Sequence, residues 1–175
     1  MPGDRERWNE RYRSDDGFDL PERPTPALAR RIDSLPPGRA LDVATGTGRN
    51  ARVLASEGYD VDAVDVADAA LERAARVAAD RGVDDRITWI RADVTDYAFE
   101  RAAYDVITVS FFAALGRLPD LKAALAPGGV LCYEHHLRSS DPVDARPSTD
   151  RVRFRSNDLL RACLDLTVLE YRGRT

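Results

Sequence analysis

The chain has 175 residues, of which 43% are apolar and 32% are charged, a balance that is typical of one soluble globular domain and excludes a disordered or membrane-spanning chain. Its 26 basic and 30 acidic residues give a formal charge of −4, so no basic field favours nucleic acid. The N-terminus has no apolar signal core. We therefore expect a cytoplasmic monomer or homodimer that binds neither nucleic acid nor membranes.

The first part of the chain, residues 1–37, is predicted to form a helical cap. Residues 4–12 have the pattern of a polar helix that carries Trp8 and Tyr12 four residues apart, and therefore on one face. The two rings either pack on the body of the domain or cover a ligand. A second helix is predicted over residues 25–34, because its Thr-Pro start is typical of a helix N-terminus.

Strands and helices alternate in the rest of the chain. Parallel strands joined by right-handed helical crossovers form a doubly wound, Rossmann-like α/β sheet with helices on both faces. We expect a single domain with a cofactor-binding core over residues 38–136 and a substrate-side segment over residues 137–175. The six predicted strands cover residues 40–44, 61–66, 87–90, 104–110, 130–135 and 166–171, and the helices cover residues 49–57, 67–80, 119–125 and 156–163.

A glycine turn after the first strand predicts a ligand site. Gly46 and Gly48 stand one residue apart, and glycines in such a turn let the backbone approach a charged small molecule. In doubly wound sheets, ligands bind outside the carboxyl ends of the strands, beside the first strand. Four polar residues fall at or near those ends, namely Asp42, Asp65, Asp93 and Ser110.

Two cofactor classes compete for this turn. Residues 46–51 match the dinucleotide pattern G-x-G-x-x-G/A, and Asp65 follows at the distance of about twenty residues where an acid holds ribose hydroxyls. This match leaves open an NAD(P)-dependent oxidoreductase. It gives no role to Asp42, to Asp93 or to the Pro-Gly-Gly turn before the fifth strand.

The same residues resemble the class I S-adenosylmethionine-dependent methyltransferases. Their first motif resembles Leu-Asp-Val-Ala-Thr-Gly-Thr-Gly at residues 41–48, their second and third acids resemble Asp65 and Asp93, and their turn into strand five resembles residues 125–129. The Gly-Arg-Asn continuation and the Trp-Asn-Glu-Arg-Tyr at residues 8–12 are similar to the tellurite-resistance and thiopurine branch. The resemblance implies the class I methyltransferase fold, S-adenosylmethionine as cofactor and a small-molecule methyl acceptor.

The resemblance also implies roles for the acids. Asp42 would hold the amino group of the methionine part, directly or through water, Asp65 would accept both ribose hydroxyls, and Asp93 would bind the adenine amine. The other cofactor-binding candidates are Trp8, Tyr12, Ala44, Thr45, Gly46, Gly48, Asn50, Val66, Val94 and Ser110.

Methyl transfer from a sulfonium requires mainly that the acceptor be aligned and water excluded. His135 and His136, at the end of the fifth strand, are the candidate bases, because imidazole titrates near neutrality; both could equally be surface residues. The two cysteines are not spaced as metal ligands, so we expect no metal. The candidate acceptor contacts are Phe111 and Phe112 as an apolar wall, and Arg151, Arg153 and Arg155 for an anionic acceptor.

Two departures from the family pattern affect the prediction. Ala44 stands where the family has its first glycine, and its extra methyl group is expected to weaken cofactor binding slightly. The sequence also lacks the seventh, antiparallel strand with which the family's sheet normally closes. This second departure leaves open a module that binds the cofactor without catalysing transfer.

Overall fold

The computed structural model describes residues 2–14, 22–138 and 153–173. The strands within these ranges are β1 (Arg39–Val43), β2 (Asp60–Asp65), β3 (Ile87–Arg91), β4 (Tyr104–Ser110) and β5 (Leu125–Glu134). The α-helices are α1 (Pro2–Arg13), α2 (Pro26–Ala29), α3 (Arg49–Ser56), α4 (Asp68–Asp80), α5 (Leu118–Ala124) and α6 (Asp158–Ala162).

The described strands form one parallel sheet in the order β3-β2-β1-β4-β5. Helices α3 and α4 cover one face, where Leu54 and Ala78 pack with Val61. Helix α5 covers the other face, where Leu121 packs with Ile107. The predicted doubly wound α/β fold is therefore confirmed. The strand order reverses between β1 and β4, so the ligand-binding crevice is expected above these two strands.

The sixth strand predicted over residues 166–171 is wrong. Among the described residues, that segment pairs with no strand, and side-chain contacts hold it against the region of α2. Glu170 pairs with Arg30 at 2.8 Å and with Arg31 at 3.4 Å, and Arg31 also donates to the carbonyl of Leu169. The Leu169 side chain is 61% exposed, so the alternating apolar residues that suggested a strand are not buried against a sheet.

Two other elements differ from the predicted bounds by five residues at one end. The second helix ends at Ala29 and continues as a separate 3-10 turn, Ile32–Ser34, because the chain tightens to i−3 hydrogen bonds. Strand β5 begins five residues early, since the Pro-Gly-Gly turn is part of the strand as an irregularity in its pairing with β4. A Cβ on Gly129 would lie 2.8 Å from the Tyr104 carbonyl oxygen, so only glycine fits there. Among the described residues, no helix has the length and apolar character needed to cross a bilayer.

Candidate functional site

A cavity of about 840 Å³ opens beside the carboxyl ends of β2 and β3. Asp93, predicted to bind the adenine amine, and Val66, a predicted cofactor-binding residue, line its inner side. Helix α1 forms the outer wall. Of the residues in this helix, the sequence predicted only Trp8 and Tyr12 as ligand contacts. The wall residues from α1 are Arg5, Glu6, Asn9 and Arg13.

Asp65 joins the end of β2 to the glycine turn. Its side chain is 7% exposed, and its two carboxylate oxygens accept backbone N–H groups from Gly46 at 2.8 Å and from Ala67 at 2.9 Å. Burial raises the pKa of Asp65, while the backbone donors oppose that rise. Each oxygen of a carboxylate can accept a second hydrogen bond, so both can still receive the hydroxyls of a ribose.

Asp42 lies beneath the turn rather than in the cavity. It is 2% exposed, and its carboxylate accepts the hydroxyl groups of Thr45 at 2.5 Å and Thr108 at 2.6 Å. Burial raises the pKa of Asp42 against the effect of these hydroxyl donors. Asp42 ties Thr45 in the turn to β1 and β4. Its contact with a ligand amino group, directly or through water, remains a prediction.

The turn itself contains three residues with left-handed backbone. Ala44, Gly46 and Gly48 have φ values of 53°, 56° and 75°. A Cβ on Gly48 would come within 2.8 Å of the Trp89 ring, so this glycine is required by packing between α3 and β3. Ala44 adopts the same unusual backbone with a methyl group, which costs about 1–2 kcal/mol relative to an ordinary conformation.

Helix α1 lies over the glycine turn. The Trp8 and Tyr12 rings stack with centroids 6.0 Å apart, and a Cβ on Gly46 would lie 3.0 Å from the Tyr12 hydroxyl. Burial, and then the negative charge of Asp65, raise the pKa of Tyr12 to about 12. Tyr12 therefore lies over the glycine turn, and its contact with a cofactor there remains a prediction.

Polar contacts with α4 fix α1 in this position. The Asn9 amide oxygen accepts the N–H of Ala69 at 2.9 Å in the first turn of α4, and Asn9 is 7% exposed. Arg5 pairs with Asp68 at 2.6 Å, and this ion pair lowers the pKa of Asp68. The sequence carried no signal for these contacts, because they join residues sixty positions apart.

Asn50 and Ser110, two predicted cofactor residues, belong to a buried network with Thr25. The Asn50 amide oxygen accepts the N–H of Thr25 at 2.9 Å, and its NH2 group donates to the Ser110 hydroxyl at 3.0 Å. Asn50 is 2% exposed. Both side chains therefore hold the chain before α2 against α3 and β4, and their contact with the cofactor remains a prediction.

Asp93 and Val94 have different surroundings although they are adjacent. Asp93 lines the cavity, and its carboxylate accepts the hydroxyl of Thr95 at 2.6 Å and its N–H at 2.9 Å, which lowers the pKa of Asp93. Val94 is buried in the core cluster under α5. The contact of Val94 with adenine remains a prediction, and Val66 and Ala92 are apolar residues that line the cavity.

The acceptor-side candidates gather where β4 and β5 end. Phe111 has a left-handed backbone with a φ of 58° and is 41% exposed. Its ring stacks on His136 with centroids 4.7 Å apart, and the Arg49 guanidinium lies 5.4 Å from the ring centroid. His135 contacts a different ring, that of Phe154, at 4.4 Å. The two histidines therefore face different surroundings, and His136 is the one beside Phe111.

The remaining acceptor candidates are not joined to that group. Phe112 packs against the core, and its carbonyl accepts the Tyr133 hydroxyl at 2.6 Å. Arg153 and Arg155 flank Phe154, which pairs with the chain beyond β5. The role of the two arginines in binding an anionic acceptor remains a prediction, and Arg151 lies outside the described residues.

Sequence reasoning missed Arg52, which lies on α3 beneath the turn. It is 3% exposed, and its guanidinium donates to the carbonyl oxygen of Thr47. The available signal was its place three residues after Arg49, on the inner side of a helix whose other buried residues are Asn50, Ala51, Leu54 and Ala55.

The comparisons with known proteins agree with this geometry. The sequence profile of a family described as a methyltransferase domain matches residues 40–129, which run from β1 into the start of β5. A demethylmenaquinone methyltransferase of Clavibacter sepedonicus is 34% identical over 113 residues, covering 61% of this chain and 45% of that protein. A 27-O-demethylrifamycin SV methyltransferase of Amycolatopsis mediterranei is 28% identical over 144 residues, covering 75% and 52%.

The solved structures include similar folds. An S-adenosylmethionine-dependent methyltransferase from Mesorhizobium loti has a TM-score of 0.54 and 25% identity, covering 65% of this chain and 56% of that one. The chain spans about half the length of the two curated relatives, 45% and 52%.

Proposed function

The chain belongs to the methyltransferase domain family, and we propose that it transfers a methyl group from S-adenosylmethionine to a small-molecule acceptor. The observation that carries the proposal is the bond from the Gly46 N–H to the Asp65 carboxylate. This bond joins the glycine turn after β1 to the end of β2, the two segments that the cofactor would contact. Both lie next to a cavity of about 840 Å³.

The residues present fit this cofactor. Asp65 has acceptor capacity for two ribose hydroxyls beyond its two backbone donors. Val66 offers an apolar surface in the cavity and Asp93 a carboxylate that can accept an amine N–H. Thr45, held by Asp42, and Tyr12, above Gly46, are the groups nearest the turn for the methionine part.

The cofactor would supply a methyl group bound to a positively charged sulfur, and this sulfur would leave when the acceptor attacks the methyl carbon in line. The protein has to orient the acceptor and exclude water. Tyr12 and its helix cover the turn from outside and serve the second task. Phe111 and His136 serve the first, since their stacked rings form one surface at the ends of β4 and β5. A hydroxyl acceptor would pass its proton to the imidazole of His136.

The finer parts of the proposal depend on sequence features. The Gly-Arg-Asn run at residues 48–50 and the Trp-Asn-Glu-Arg-Tyr run at residues 8–12 support the tellurite-resistance and thiopurine branch. The net charge of −4 supports a small molecule over nucleic acid as acceptor. We propose that the protein acts in the cytoplasm as a monomer or homodimer.

Calorimetric titration with S-adenosylhomocysteine, and with NAD in parallel, tests the cofactor. The expected result is binding of S-adenosylhomocysteine alone. An Asp65→Ala variant should lose most of this affinity, because each charge-assisted hydrogen bond contributes about 1.5–3 kcal/mol. The matched control is Asp60→Ala at the other, exposed end of β2, which should bind like the wild type.

The outcomes separate the alternatives. Binding of NAD alone would favour an NAD(P)-dependent oxidoreductase. Binding of S-adenosylhomocysteine without turnover over a broad acceptor panel would favour an inactive module. Binding of neither ligand by a folded chain would overturn the proposal.

A further inference from the structure

Arg52 is a buried cation directly beneath the glycine turn. It extends from α3 toward the chain segment that precedes its own helix, and its Nη1 group donates to the Thr47 carbonyl oxygen. The residue is 3% exposed, and its Nε is buried without a hydrogen-bond partner. Within the described residues its guanidinium therefore has a backbone carbonyl as partner and no ion-paired carboxylate.

Such an arrangement does not favour folding. Burying a guanidinium without a carboxylate carries a desolvation penalty, and apolar replacements of buried charges are often neutral or stabilising. Burial lowers the pKa of Arg52, and the charge of Arg81 adds to this, while Asp42 and Glu22 oppose it from a distance. The position is one where a side chain such as methionine would suit stability better.

The contact does constrain the turn. The Thr47 carbonyl and the Gly48 N–H belong to one planar peptide group, so fixing one fixes the other. The Gly48 N–H donates to the Thr45 carbonyl at 2.9 Å, and Arg52 holds the opposite end of the same group. Glycine at position 48, with a φ of 75°, would otherwise allow this peptide to flip easily.

We propose that Arg52 is a positioning residue, which locks the Thr47–Gly48 peptide and so keeps the glycine turn in the shape that binds the cofactor. The inference rests on the proposed function. Asp42 and Arg52 then act on the turn as a pair, since Asp42 accepts the Thr45 hydroxyl while Arg52 donates to the Thr47 carbonyl. Arg52 stabilises the binding conformation at the expense of overall stability.

Two variants separate positioning from packing. Arg52→Met keeps the length of the aliphatic side chain and removes the donor, whereas Arg52→Lys keeps a charged donor. Arg76→Met, an exposed arginine on α4, is the matched control. Three quantities are measured for each protein: the affinity for S-adenosylhomocysteine, the stability without cofactor, and amide hydrogen exchange at Gly48.

Arg52→Met is expected to bind about tenfold more weakly, since a hydrogen bond from a charged donor is lost. The same variant should be at least as stable as the wild type, and Gly48 should exchange faster. Arg52→Lys should recover most of the affinity, and Arg76→Met should match the wild type in all three measurements.

Wild-type affinity and wild-type exchange in Arg52→Met would overturn the inference while leaving the cofactor site intact. Parallel losses of stability and affinity in both Arg52 variants would also overturn it, because they would show a packing role. If the wild-type chain itself binds no S-adenosylhomocysteine, the proposed function fails and this inference fails with it.

Discussion

The hydroxyl of Tyr12 lies directly above Gly46, 3.0 Å from where a Cβ on that glycine would stand. This contact joins the N-terminal helix to the ligand-binding turn. Gly46 is therefore constrained twice, by its left-handed backbone and by the side chain over it.

Gly46→Ala is expected to destabilise the chain by more than the backbone strain of about 1–2 kcal/mol. In a Tyr12→Phe background, Gly46→Ala should cost only the backbone strain, because without the hydroxyl the nearest ring atom lies 3.9 Å from the Cβ position. Urea unfolding of the two single variants and the double variant measures this coupling. Equal costs of Gly46→Ala in both backgrounds would mean that Tyr12 does not cover the turn.

Ala44→Gly is expected to raise the free energy of unfolding by about 0.5–1 kcal/mol, since relief of left-handed strain exceeds the entropy of an added glycine. Cofactor affinity should stay equal or increase. Ala102→Gly is the matched control, because Ala102 has a similar φ of 50° in the loop before β4. It should raise stability without affecting binding. A loss of affinity in Ala44→Gly would show that the methyl group serves the site.

The sequence predicted the parallel sheet because its strands are short apolar runs, and both faces of the sheet are buried. It also placed Asp65 at the end of the second strand as a ribose-binding acid, and the bond from the Gly46 N–H to its carboxylate is an addition from the structure. The prediction failed at residues 166–171, where an apolar pattern lies on the surface and ion pairs with α2 replace strand pairing. Local pattern carries no information about such partners.

The same limit applies within the site. Asp42, Asn50 and Ser110 have the residue types of ligand contacts, and the structure adds hydrogen bonds to protein groups that the sequence did not predict. Contacts between distant segments, such as that of Thr25 with Asn50, decide which polar groups near a turn have protein hydrogen-bond partners. Local sequence does not show these contacts. Arg52 was missed although it falls among the buried residues of α3, because an arginine is normally expected on the exposed face of a helix.

Asp42→Asn is expected to flatten the pH dependence of stability. Burial raises the folded-state pKa of Asp42 above its usual 3.8, so its contribution is fully present below that value and is lost as pH rises through the folded-state pKa. The asparagine variant should therefore gain stability relative to wild type as pH rises above 3.8, the usual pKa of this carboxyl group. Asp65, whose pKa is also raised, leaves some dependence in both proteins. Urea unfolding curves that differ by a constant amount at every pH would contradict this.

Asn9→Ala is expected to loosen α1, because the N–H of Ala69 in α4 loses its acceptor. The loss should be about 0.5–2 kcal/mol, the usual range for removal of a helix cap. Amide exchange in α1 should increase along with it. Glu10→Ala, an exposed neighbour on the same helix, is the control. Unchanged exchange in α1 would show that Arg5 and Asp68 suffice to hold the helix.

His136→Gln is expected to slow transfer to hydroxyl acceptors by about 10²–10⁴, the usual contribution of a general base, because His136 stacks on Phe111 at the proposed acceptor side. Affinity for S-adenosylhomocysteine should not change, and transfer to thiols, which ionise without help, should fall much less. His135→Gln should instead reduce stability, since its ring packs on Phe154. Turnover with catechol and thiophenol as probes gives the comparison. Equal losses for both acceptors would remove His136 as the base and leave it as part of the aromatic surface.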